Sequence, residues 1–148
     1  MPAAESLAII SAGCFFLTGL LTGVWKYQQI HNSPEAQAHY YVDIAHRTAL
    51  LYSFACLLLY QFVVISQLPA RVEFYAVLAQ VAFFAAAVFA YIVHGWLGDT
   101  DNQLRKPYTL GSRTLPAILM VAFMWSLIVA EIGGFLVLFY GVITAALA

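Results

Sequence analysis

HYYVDIAHRTALLYS, residues 39–53, is the stretch on which the fold turns. Polar residues precede it, and beyond it the chain is almost wholly apolar through Ile65. Asp43, His46 and Arg47 therefore stand where a helix enters a hydrocarbon layer. Asp43 lies three residues before His46 and four before Arg47, so one helical face can carry all three. Ionisable side chains at that depth are costly and are usually retained for a purpose. His46 is accordingly the leading candidate in the chain for a metal or haem-iron ligand. Spacing alone equally allows an interfacial histidine that is hydrogen-bonded to its neighbours, which is the commoner case.

Composition sets the surroundings. Charged residues make up 9% of the 148, against about a quarter in a soluble domain, so the chain belongs in a membrane. Mean hydropathy is +0.86, in line with that reading. The expectation is an all-α membrane protein: four transmembrane helices in an antiparallel bundle, forming one domain over residues 1–148. The apolar stretches run from Leu7 to about Trp25, Asp43 to Ser66, Val72 to Trp96, and Leu115 to Leu147. Each is near or above the ~20 residues needed to cross a bilayer. Lys26 ends the first, and Pro116 sits in the first turn of the last, where an amide is dispensable. Gln67, Leu68, Pro69 and Ala70 join the second and third spans closely, as in a helical hairpin.

The two longer connections emerge on one side and carry Lys26, Arg105, Lys106 and Arg113, with Arg47 close by. Only Arg71 lies opposite, so the positive-inside rule puts these connections in the cytoplasm and both termini outside. Trp25, Trp96, Tyr40 and Tyr41 fit an aromatic belt on that face. Glu5 is the only charge before the first apolar run, which therefore reads as a retained span rather than a cleaved signal. A net charge of −1 without a basic stripe gives no case for nucleic acid. Cys14 and Cys56 read as packing residues, having neither zinc nor haem-attachment spacing. Gly19 and Gly23 form GxxxG, and Ser126, Ala130, Gly134 and Gly141 form a second small-residue stripe. Such stripes mark close helix contacts, although membrane helices are in any case rich in Gly and Ala.

Four histidines, His31, His39, His46 and His94, lie towards the same face, where one site could draw on several together with Asp43, Asp99 and Asp101. A haem-ligating imidazole needs its other ring N–H held by a carboxylate or carbonyl. Asp43 is placed to be that partner, or to pair with Arg47. On the third span Gln80, Phe84, Ala87, Tyr91 and His94 recur at helical spacing. Tyr91 would offer an O–H beside an apolar surface of Phe83, Phe84, Ala86 and Phe89, which would seat a flat macrocycle or an aromatic substrate, with Ala87 leaving room. Tyr91 equally suits an interfacial anchor. Glu131, deep in the fourth span, reads as neutral and hydrogen-bonded to Gln61 or Gln80, or else as part of a proton route. Arg105, Lys106 and Arg113 are candidates for haem propionates or lipid phosphates. No hydrolase, zincin, Walker or dinucleotide signature is present.

Four spans, Ser33-Pro34-Glu35 ahead of Ala45-His46, Ala49-Leu50 after it, and Tyr91 near the end of the third span together resemble the bacterial styrene oxide isomerase family. The resemblance covers mainly the second and third spans. Aligning His46 with that family's axial histidine brings Tyr91 onto its active-site tyrosine without a gap. It implies a homotrimer in the bacterial inner (cytoplasmic) membrane, with haem b at subunit interfaces and His46 as iron ligand. It also implies a Meinwald rearrangement, in which ferric haem acts as a Lewis acid on a small apolar epoxide that becomes an aldehyde or ketone. Tyr91, and Tyr52 with it, would orient the substrate or bond its oxygen. Tyr52 is itself a departure, because the family carries asparagine there. The segment before His46 is longer than in the family, and its basic C-terminal tail has no counterpart in these residues. Two other readings stand beside this one. The first is a haem protein without isomerase activity, an electron carrier or sensor, with His94 as second axial ligand. The second is a subunit whose His/Asp cluster binds copper or zinc, or only packs against a partner within a larger membrane complex.

Overall fold

A computed structural model describes all of residues 1–148. Helix α1 covers Ala3–Asn32, α2 Tyr40–Ile65, α3 Ala70–Leu97 and α4 Ala117–Leu147, and each is long and apolar enough to cross a membrane. At 1.5 Å per residue these helices are about 39–46 Å long, more than the ~30 Å hydrocarbon layer. Their ends therefore reach into the interfacial region, where polar side chains find water and headgroups. Lys26 closes the apolar run but not the helix, since α1 continues to Asn32.

Local chemistry fixes the boundaries. Pro2, Pro69 and Pro116 each stand immediately before a helix as its N-cap, one position earlier than the first-turn placement expected for Pro116. His39 caps α2, its Nδ1 accepting the Tyr41 amide at 3.2 Å. Gly98 ends α3 in the left-handed conformation, φ 60°, which glycine adopts without penalty. The polar connection after it holds a small antiparallel hairpin, β1 (Thr109–Leu110) with β2 (Arg113–Thr114), that the hydrophobic pattern does not reveal.

Small residues bring the helices together. The Gly19 position of α1 meets Leu50 of α2, and the Gly23 position meets the His46 ring. Lys26 reaches Asp43 one turn further on, so the residue number falls along α2 as it rises along α1. The α1 GxxxG is thus a true interface. In the second stripe Gly134 lies against the Ala76 carbonyl and Gln80, and Gly141 against Ser66 and Leu68. Ser126 is exposed and takes no part.

The core is uneven. Ala8, Ala49, Cys56 and Val77 are fully enclosed among α1, α2 and α3, and Phe15, Tyr52 and Phe84 stack across them. Of α4 only Gly134, Leu138 and Gly141 are buried, and Ile118, Trp125 and Val129 lie bare along it. In lipid such a surface costs nothing, because acyl chains are as apolar as the side chains they touch.

Candidate functional site

His46 sits nearly two turns inside the polar end of α2, half-buried against α1. Its Nδ1 lies 2.7 Å from the Gly19 carbonyl oxygen. A carbonyl can only accept, so the ring hydrogen is on Nδ1 and the Nε2 lone pair is left without a partner in the chain. Gly23 makes the seat: a Cβ there would come within 2.9 Å of ring carbon Cε1 and 3.0 Å of Nδ1. The GxxxG pair thus supplies both the space for the imidazole and the acceptor that fixes its tautomer. An imidazole held in this way is what a metal or haem ligand requires.

Of the two places open to Asp43, it takes the one beside Arg47 rather than the one beside His46. Its carboxylate is claimed by Lys26 at 2.6 Å and Arg47 at 2.7 Å, so it ties α1 to α2 and leaves the partner role to Gly19. The hydrophobic pattern could not show this, since Lys26 is remote in sequence and its reach depends on α1 running on past the apolar stretch. Arg47 remains largely exposed beside the pair.

Tyr91 and Arg105 share a cleft of about 460 Å³ with Tyr40, Tyr41, Ile44 and Gln103. The Tyr91 ring stacks on Tyr41, centroids 5.7 Å apart. Tyr41 is buried, not part of an exposed belt, and its hydroxyl accepts the Gln103 amide at 2.5 Å. Arg105 also pairs with Asp101 at 2.9 Å on the surface. His46 does not line this cleft. Ile44 and Tyr41 face it from α2, while His46 turns to α1. Within one chain the two principal candidates are therefore separated.

Tyr52 and Phe84 are stacked face to face, centroids 4.0 Å apart, with Phe15 against both rings. Ala87 is buried beside Phe84 on α3, so these two positions pack within the chain, whereas Phe89 of the same expected surface is largely exposed. Glu131 opens on a cavity of about 290 Å³ lined by Leu59, Gln80, Phe84 and Phe135. Neither expected amide partner bonds it: Gln61 is exposed, and Gln80 Nε2 donates to the Ala76 carbonyl at 3.0 Å. Glu131 Oε1 is left buried without a hydrogen bond.

The four histidines do not converge. His31 stacks on Tyr27, His39 caps α2, and His46 faces α1. His94 Nδ1 lies 2.8 Å from Asp99 Oδ1, with both side chains buried. No three His, Cys, Asp or Glu side chains gather where they could hold a metal ion, so the shared copper or zinc cluster expected as one alternative is not formed within the chain. The His94–Asp99 pair, five residues apart across the end of α3, was the feature that spacing alone did not single out. It depends on the left-handed turn at Gly98. Asp99 also accepts the Gly111 amide at 2.6 Å, which fastens the hairpin to α3. Burial would raise the Asp99 carboxyl, but the His94 hydrogen bond and the Gly111 amide outweigh it and hold it below the ordinary carboxylate range.

No protein-family model, curated protein or solved structure matches this chain.

Proposed function

We propose that this is a haem b protein of the styrene oxide isomerase kind, an antiparallel four-helix bundle that assembles as a trimer in the bacterial cytoplasmic membrane. The observation that supports this reading best is the 2.7 Å hydrogen bond from His46 Nδ1 to the Gly19 carbonyl, which leaves Nε2 as an acceptor without a donor in the chain. Haem bound at that nitrogen would supply an iron Lewis acid for the oxygen of an apolar epoxide on its way to an aldehyde or ketone. His46 holds the group, and Gly19 keeps the imidazole in its ligating tautomer. Arg105 and Arg47 offer cations at the membrane surface for carboxylates. Tyr91 presents its hydroxyl at the cleft it shares with Arg105, as a donor to the substrate oxygen.

The separation of His46 from the Tyr91 cleft favours a site completed between copies, and so an oligomer. Tyr52 lends support to a narrower reading, haem binding without isomerase activity, because its ring is committed to Phe84 and Phe15 where the resembling family has an asparagine. An assay decides between them: haem-loaded, purified protein is given styrene oxide, and phenylacetaldehyde is measured. Aldehyde formation that falls at least tenfold in Tyr91→Phe, with haem content unchanged, is the expected result. No aldehyde from haem-loaded protein over a panel of aryl and alkyl epoxides would leave only the narrower reading.

A further inference from the structure

A second cavity, of about 400 Å³, lies between α3, the hairpin and α4. Its walls are apolar: Phe89 and Val93 from α3, Leu115, Leu119, Met120 and Phe123 from the start of α4 and the residues before it. Only His94 and Gln103 bring polar atoms to it, and the backbone amide of Gln103 is taken by the Tyr41 hydroxyl. Such a volume accommodates a small lipid-soluble molecule.

The tautomer of the neutral His94 ring follows from its partners. Asp99 is an ionised carboxylate under ordinary conditions, held by His94 and the Gly111 amide, and can only accept. The His94 hydrogen facing it is therefore on Nδ1. In the neutral ring Nε2 is then an acceptor, with no partner in the chain. Tyr41 packs against the ring at 5.2 Å and stops it from turning away. His94 lines the pocket, so an imidazole lone pair and the Gln103 side-chain amide are the polar groups offered within otherwise apolar walls, and only the imidazole is held in one orientation. An ion would be expelled by the walls, and a hydrocarbon would leave the acceptor dry and unsatisfied. Phe89, Phe123 and the polarisable Met120 thioether favour a flat ring.

We infer that this cavity binds a flat, lipid-soluble phenol whose O–H donates to His94 Nε2. The site is separate from His46 and does not depend on haem. Full-length protein in lipid nanodiscs is titrated with 2-naphthol and with 2-methoxynaphthalene, which has the same apolar body without the donor. Partition into empty discs is subtracted. Saturable 2-naphthol binding about tenfold tighter than that of the ether is expected, which is what one net hydrogen bond provides. His94→Phe should erase the difference between the probes. Met120→Trp, which fills the cavity away from the dyad, should weaken both. Equal binding of the two probes by the natural protein overturns the inference, as does a preference that survives in His94→Phe. The first of these outcomes requires no variant, so a folding failure in His94→Phe does not shelter the proposal.

Discussion

Two seams of the bundle are built from the same material and reach different ends. Where α1 meets α2, glycines at 19 and 23 admit Leu50 and His46, and the gap between helices is filled by a side chain with chemistry to offer. Where α4 meets α3 and the turn before it, glycines at 134 and 141 admit a backbone carbonyl, Gln80, Ser66 and Leu68, and nothing reactive enters. Close approach is common to both. What distinguishes them is whether the residue facing the glycine offers an imidazole nitrogen able to ligate a metal. At the first seam Gly19 consumes one nitrogen of His46 and leaves the other. At the second, Gln80 brings an amide rather than an imidazole, and its Nε2 donates to its own helix.

This contrast can be attacked by substitution. His46→Ala should remove haem altogether, seen as loss of the Soret band in purified protein, while the helix content by circular dichroism is kept. Gly23→Leu should leave the chain folded but push the imidazole from its seat, weakening haem retention by roughly 10- to 100-fold, the usual effect of disturbing what orients a ligand. Gly134→Leu touches no candidate ligand. It should destabilise the docking of α4 by about 1–3 kcal/mol, as overpacking does, with haem content per folded protein unaltered. A denaturation series in mixed micelles checks the last of these. Equal haem loss in Gly23→Leu and Gly134→Leu would erase the distinction between the seams.

The smallest effect concerns the hairpin. The Asp99 carboxyl is lowered in the folded chain, so its contribution is present above the unfolded value of about 3.9 and lost as pH falls through the lower folded value. The Gly111 amide resonance should therefore shift only in strong acid, and Asp99→Asn should show the acid-like signal already at neutral pH. An amide that does not respond to either change would detach Asp99 from the hairpin.

Much of this was open to sequence reading. The lengths of the apolar runs exceed what a bilayer needs, and four helices lie where those runs lie. His46 stood out because it breaks such a run, and Gly19 and Gly23 because their spacing is one helical turn. The pairing of the two was hidden, since it needs the relative height of α1 and α2. That height is set by Lys26 reaching Asp43 from a turn that hydropathy assigns to a loop. The His94–Asp99 dyad was hidden for a similar reason: a single left-handed glycine folds the carboxylate back onto the ring. Glu131 was misjudged because polar residues at similar depth were assumed to meet, whereas Gln80 bonds its own helix and Gln61 faces outward.

The proposal stands or falls with the nitrogen that Gly19 leaves free. Non-covalent mass spectrometry of the natural protein, released from mild detergent, reports whether haem b travels with the chain and in what ratio. One haem per chain, accompanied by a Soret band that is absent from His46→Ala, is what the His46 geometry predicts. Protein that carries no haem after expression with ample haem supply, or a His46→Ala variant that retains it in full, would contradict it.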